Sequence, residues 1–92
     1  MAARLSDTVR IPQRISFRRV RDEMALLNLD TGVYFGLDEI GARMWELVVE
    51  HGRLQIVAER MEDEYAVDPA RLRQDLLHWV DELIAKQLLE IA

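Results

Sequence analysis

A chain of 92 residues can build one hydrophobic core but not two, so a single domain over 1–92 is expected. Its formal net charge of −5 argues against general affinity for nucleic acid, which requires a basic face. The absence of cysteine excludes disulfides and thiolate metal sites, and it agrees with a cytoplasmic protein. No apolar run approaches the ~20 residues that a membrane span needs, so no membrane contact is expected.

The residue types that carry catalysis or metal binding are sparse. His51 and His78 are far apart and have no His or Cys at ligand spacing, so we expect neither a metal nor another cofactor. The sequence has no serine in a glycine-rich elbow and no glycine loop with a lysine for phosphates. It therefore predicts a binding protein and not an enzyme.

The first quarter of the chain is basic, whereas the acidic residues gather later. Its arginines include Arg10, Arg14, Arg18, Arg19 and Arg21. They either steer an acidic partner or form the solvated side of an edge strand. Residues 1–10 have a short, mixed composition and are expected to be flexible.

Three strands are predicted in the first half of the chain. Alternation of apolar and polar residues indicates a first strand near 15–20, beyond Pro12, which cannot donate to a strand ladder. A more apolar second strand follows at 24–29, and the β-branched and aromatic run Val33–Leu37 is the third. Between them, Asp30-Thr31-Gly32 supplies a glycine for the positive-φ position of a hairpin turn. The sheet is therefore predicted to be an antiparallel meander.

Three helices are predicted after the sheet. The first begins after the N-cap residue Asp38 and ends before Gly52, a suitable C′ residue. The second covers roughly 54–65 and keeps its acids on the solvent side. The third begins at Asp68-Pro69, an N-cap acid followed by proline at the first helical position, and ends near Lys86-Gln87. The predicted class is α+β and winged-helix-like, with a three-stranded antiparallel sheet followed by three helices.

The third predicted helix carries an apolar stripe that is wider than one packing face requires. The stripe comprises Leu72, Leu76, Trp79, Val80, Leu83 and Ile84. Such a helix either fills the core from two sides or leaves an apolar strip for a partner. Beyond it, Leu88, Leu89 and Ile91 are expected to dock as a short extended piece.

If the strand order follows the chain order, Val33–Leu37 is an edge strand with unpaired N–H and C=O groups. The strand has neither charge nor proline to block pairing, so it is either covered by the third helix or open to a peptide. Alternation puts Tyr34 and Gly36 on one face and the other three residues on the opposite face. The sequence does not decide which of these two faces of the strand points toward the core.

The sequence also resembles a known family. The resemblance is carried by the runs LNLDTGVYFGLDEIGARMWELV and VDPARLRQDLLHWVDELIAKQLLE. The first looks like the signature of the PqqD-like family, known also as RiPP recognition elements, and the second is similar to that family's closing helix. The match covers roughly Phe17 to the C-terminus. It implies a peptide-binding adaptor that takes up the leader of a ribosomally made precursor peptide by strand addition. The adaptor presents the leader to a modifying enzyme, such as a radical SAM enzyme or a leader peptidase.

The resemblance further implies that the leader lies beside the third strand, in a groove against the third helix. The candidate peptide-binding residues are Val33, Tyr34, Phe35, Gly36 and Leu37 of the strand, with Leu72, Asp75, Leu76 and Trp79 of the helix. Asp75 is expected at the rim, where it meets a polar or basic leader residue. For Tyr34 and Trp79, a purely structural role is the alternative.

Two other functions are weighed against this one. A winged-helix transcriptional regulator that binds DNA would need arginine or lysine along the exposed face of a recognition helix. The second helix offers only Arg60 among its acids, and the third sets Arg71 and Arg73 against three acids. Self-association through the same edge strand would instead give a homodimer.

Overall fold

The computed structural model describes residues 2–92, and Met1 lies outside them. The elements in chain order are β1 (Val9–Arg10), β2 (Ile15–Val20), β3 (Glu23–Asn28), β4 (Tyr34–Leu37), α1 (Glu39–His51), α2 (Leu54–Glu64), α3 (Pro69–Ala85) and β5 (Glu90–Ile91). The predicted α+β class, with a three-stranded antiparallel sheet followed by three helices, is confirmed.

The main sheet has the order β2-β3-β4, and both pairings are antiparallel. The turn between β3 and β4 forms as the sequence predicts, because Gly32 takes a positive φ of 74°. The buried Asn28 holds this turn from below, since its Oδ1 accepts hydrogen bonds from the N–H groups of Asp30 (2.9 Å) and Thr31 (3.3 Å). The observed strand begins at Tyr34, so Val33, the first residue of the predicted strand, falls just before β4.

The three helices begin and end close to the residues that the sequence predicts. Asp38 caps α1 by accepting from the Gly41 N–H at 2.8 Å, and Gly52 ends it with a φ of 71°. Asp68 caps α3 by accepting from the Ala70 N–H, and proline opens the helix. These caps satisfy backbone groups that the helices cannot pair internally.

The core lies between the sheet and the helices. From α1, Trp45 is fully buried, and its ring meets Phe17 of β2 edge to face at a centroid distance of 5.4 Å. The helix α3 contributes four buried side chains, which are Leu72, Leu76, Val80 and Leu83. α1 packs against β3 and β4, α3 packs against α2, and the other face of the sheet is left to solvent.

The two ends of the chain meet in a second, two-stranded sheet. β1 pairs with β5, with Val9 opposite Ile91, and Leu88 and Leu89 are buried just before β5. The extended docking predicted for the last residues is therefore observed. Ala3 is also buried, and its N–H donates to Asp81 of α3 at 2.7 Å. These contacts run against the flexibility expected for residues 1–10, because single apolar residues in a mixed segment produce no periodic signal.

Candidate functional site

The strand β4 is an edge of the main sheet, as the sequence predicts. The Asn28 N–H donates to the Val33 carbonyl at 3.0 Å, which makes these opposed residues a hydrogen-bonded pair. Because such pairs alternate with non-bonded pairs, Phe35 and Leu37 also direct their backbone groups toward β3. Tyr34 and Gly36 therefore direct their N–H and C=O groups to the free edge.

The structure also decides which face of β4 is buried. Leu37 is buried and Phe35 is half-buried against the core. Tyr34 keeps 72% of its surface exposed, and Gly36 is exposed beside it on the outer face. Of the two rival roles for Tyr34, its exposure disfavours the structural one.

Gly36 has no structural requirement within the described part of the chain. A Cβ built there would meet no heavy atom within 4 Å, and its φ does not lie in the left-handed region. Glycine within a strand costs stability, and it is often found where another backbone approaches closely. Gly36 thus leaves the outer face of β4 without a side chain at this position.

Two of the four candidate residues on α3 reach the surface. Asp75 is exposed and lies 3.8 Å from Arg71, and Trp79 is half-buried against the core. Leu72 is buried, and Leu76 has no exposed surface at all. Leu76 lies at the centre of the apolar stripe and packs into the core, and its contact with a peptide stays a prediction. Its side chain supports the surface residues from behind.

A depression of about 300 Å³ begins where β4 ends. Its walls come from the start of α1 and the middle of α3, which contribute Asp38, Ile40, Gly41, Met44, Asp75, His78, Trp79 and Glu82. Gly41 makes the close approach possible, since a Cβ there would lie 3.3 Å from the Leu37 Cβ and 3.5 Å from the Trp79 Nε1. The site thus brings the end of the candidate strand and the surface residues of the candidate helix together.

The charges around this depression are mostly negative. Asp75 and Glu82 are exposed on α3, and His78 lies one turn from each, with its Nε2 2.8 Å from Glu82. A second, more apolar depression of about 220 Å³ adjoins the first and shares Ile40, Met44 and Asp75 with it. The arrangement can hold apolar side chains inside and a cationic group at its rim.

Sequence reasoning missed part of this site. Helical spacing alone offered no reason to place Ile40 or Met44 in the site, and His78 was considered only as a metal ligand. The signal was available on α3, where Asp75, His78 and Glu82 recur at helical spacing on the face that also carries Trp79. Ile40 gave no such signal, because an apolar residue in the first turn of a helix is most often core.

The helices offer no basic face to DNA. On α3, Arg71 lies 3.8 Å from Asp75, and Arg73 pairs with Glu62 at 3.2 Å. Across residues 2–92, no group of three or more His, Cys, Asp or Glu is placed to hold a metal ion. No helix in the same range is long and apolar enough to cross a membrane.

Comparisons with known proteins agree with this geometry. The structure described as "TbiB1 in Complex with the TbiA(beta) Leader Peptide" is 37% identical, with a TM-score of 0.84 over 88% of this chain and 94% of that one. The structure described as "Lasso peptide synthetase B1 complexed with the leader peptide" is 22% identical, with a TM-score of 0.82 over 90% and 98%, and it shares the fold. No curated protein matches. The model of the family described as coenzyme PQQ synthesis protein D (PqqD) matches residues 23–89, and the chain therefore belongs to the PqqD family.

Proposed function

We propose that this protein binds the leader segment of a ribosomally synthesised precursor peptide and presents it to a modifying enzyme. The leader adds to β4 as a fourth strand of the main sheet. The protein then acts as an adaptor, or RiPP recognition element, and the chemistry belongs to the enzyme that it serves. That enzyme is of the class that modifies peptides, such as a radical SAM enzyme or a leader peptidase.

The observation that carries the proposal is the free edge of β4. Tyr34 and Gly36 direct their backbone groups outward, and Gly36 lets a second backbone approach without meeting a side chain. An extended peptide gains main-chain hydrogen bonds at such an edge whatever its sequence. Membership of the PqqD family and the likeness to TbiB1, which was solved with a leader peptide, support this assignment.

Selectivity is assigned to the depressions behind the edge. Alternate side chains of an added strand point to opposite faces of the sheet. One set lies over the outer face beside Tyr34, and the other points toward Trp79 and the two depressions shared by α1 and α3. Apolar leader residues fit there, and Asp75 and Glu82 suit a basic residue at the rim. Leu72, which lines the second depression, contributes its floor.

The place of action follows from the ligand. A ribosomal precursor is made in the cytoplasm, so an adaptor that meets it before modification works there. Pyrroloquinoline quinone, lasso peptides and peptides modified by radical SAM enzymes are three classes of product that adaptors of this kind serve.

The test is an NMR titration of the ¹⁵N-labelled protein with the TbiA(beta) leader and with leaders of candidate precursors. Shifts are expected in β4 and along the face of α3 that carries Asp75 and Trp79. Gly36→Pro removes an outward N–H and should weaken binding at least ~10-fold. Its control is Gly36→Ala, which adds a Cβ but keeps the N–H, so it should lose less affinity than Gly36→Pro.

Both variants are first checked for retained folding by circular dichroism. Equal affinity in the two folded variants would rule out strand addition at β4, and shifts confined to α2 would place the peptide elsewhere. Sedimentation without peptide would reveal a homodimer that occupies the same edge.

A further inference from the structure

The main sheet has a second free edge, at β2. The Leu29 N–H donates to the Arg14 carbonyl at 2.8 Å, which sets the alternation of bonded pairs along this side of β3. Phe17 and Arg19 consequently direct their N–H and C=O groups away from the sheet. The Ile15 N–H is already bonded to the Pro12 carbonyl at 3.0 Å. Within residues 2–92, no backbone hydrogen bond reaches the free side of Phe17 or Arg19.

A depression flanks this edge on each face of the sheet. On the inner side, a depression of about 470 Å³ lies between β2 and the end of α1, and its walls include Phe17, Ile11 and Val49. On the outer side, about 370 Å³ lies over the sheet, bounded by Arg18, Leu27 and other outer-face residues. A strand added at β2 therefore has room for its alternate side chains on both faces, which is what recognition by strand addition requires.

The charge along β2 indicates the kind of strand that fits. Residues 10–21 contain five arginines and no acid. Arg19 is neutralised by Glu46 at 2.6 Å, but Arg18 and Arg21 take part in no ion pair among those found in the described chain. The inner depression contains Glu50, and the arginine that lines it, Arg10, is already paired with Glu90. Acidic groups of a partner therefore belong on the outer side, next to Arg18. Apolar groups belong on the inner side, against Phe17 and Val49.

A second copy of this chain does not meet these requirements. Antiparallel pairing of β2 with itself brings arginines of the two copies close together, and like charges across strands are destabilising.

We infer that β2 is a docking edge for an extended, acidic segment of a partner protein, separate from the edge at β4. The segment alternates acidic residues, which face outward beside Arg18, with apolar residues, which enter the inner depression.

The inference is tested with two synthetic hexapeptides, one of alternating glutamate and valine and one of alternating lysine and valine. Each is titrated into the ¹⁵N-labelled full chain. The glutamate peptide is expected to shift the amides of Ser16 to Val20 at millimolar concentration, and the lysine peptide is expected to leave them unchanged. Arg18→Glu should weaken binding of the glutamate peptide at least ~10-fold, because the substitution reverses a charge that no ion pair neutralises.

A matched pair of variants separates strand addition from general charge attraction. Arg19→Pro and Arg19→Ala both lose the ion pair with Glu46, but only the proline variant loses the outward N–H. Binding should survive in Arg19→Ala and be lost in a folded Arg19→Pro. Equal binding of both peptides, equal binding by both Arg19 variants, or shifts at β4 in place of β2 would each overturn the inference. Concentration-dependent pairing of β2 without any peptide would also overturn it, in favour of a second copy.

Discussion

Among single residues, Arg43 and Glu64 form the contact with the clearest pH dependence. The Arg43 Nε and Nη2 atoms donate to the two Glu64 oxygens at 2.7 and 2.6 Å, and so join α1 to the end of α2. These hydrogen bonds lower the pKa of Glu64 from its usual value of 4.5 and raise the pKa of Arg43. A carboxylate whose pKa falls on folding stabilises the fold above its unfolded pKa, and this contribution is lost as the pH drops through the folded value.

We predict that Glu64→Gln lowers the free energy of unfolding by about 0.5–1 kcal/mol at pH 7, the range for partly exposed ion pairs. Below the folded pKa of Glu64 the difference should vanish, because the natural residue is then also neutral. Urea denaturation at pH 7 and at the lowest pH at which the protein stays folded compares the two conditions. The control is Asp63→Asn, one residue earlier and without an ion pair in the described structure. A loss that is the same at both pH values would contradict the prediction.

At the scale of the element, the wide apolar stripe of α3 is divided between the core and the surface. Four of its apolar residues fill the core, and Trp79 stays half-buried beside the depression at the end of β4. Sequence periodicity predicted the stripe but could not divide it, because the division depends on where α1 and β4 lie against the helix. Which face of β4 is buried could not be predicted either. Their assignment depends on the register with β3, which alternation alone does not contain.

This division predicts different effects for two neighbouring positions on α3. Trp79→Ala should leave the protein folded and weaken leader binding by ~2 kcal/mol, roughly thirtyfold, as expected for an aromatic anchor. Leu76→Met keeps the volume of a fully buried side chain, so it should leave affinity unchanged and cost under ~1.5 kcal/mol of stability.

Isothermal titration of the folded variants with a leader peptide measures the affinities, and thermal unfolding measures the stabilities. If Leu76→Met loses as much affinity as Trp79→Ala, then Leu76 contacts the peptide directly and its assignment to the core alone fails.

At the scale of the whole molecule, most of the fold could be predicted from local signals. The turn at Gly32 and the caps at Asp38 and Asp68 are each encoded within a few residues, and they set the order of strands and helices. The pairing of β1 with β5 could not be predicted. Each strand has two residues, which is too short for a periodic pattern, and the partners are about eighty positions apart in the chain.

The terminal sheet predicts an effect of shortening the chain. Removing residues 90–92 deletes β5 and the hydrogen bond from the Ala92 N–H to the Thr8 carbonyl at 2.8 Å, and it uncovers Val9. The free energy of unfolding should fall by on the order of 2 kcal/mol. Glu90→Gln is the control, since it removes only the exposed pair with Arg10 and should change stability by about 0.5 kcal/mol or less. Urea denaturation compares the two, and an equal effect would show that the terminal pairing adds nothing.

The alternation along β4 also sets a rule of parity for the proposed ligand. On β4, Tyr34 and Gly36 offer outward hydrogen bonds, and they are two positions apart. A bound leader can therefore slide along β4 by two residues and keep the same side chains over the same face, whereas a slide of one residue exchanges the faces. Within the bound segment of the proposed ligand, an insertion of two residues should preserve the faces of the residues beyond it, whereas an insertion of one should exchange them.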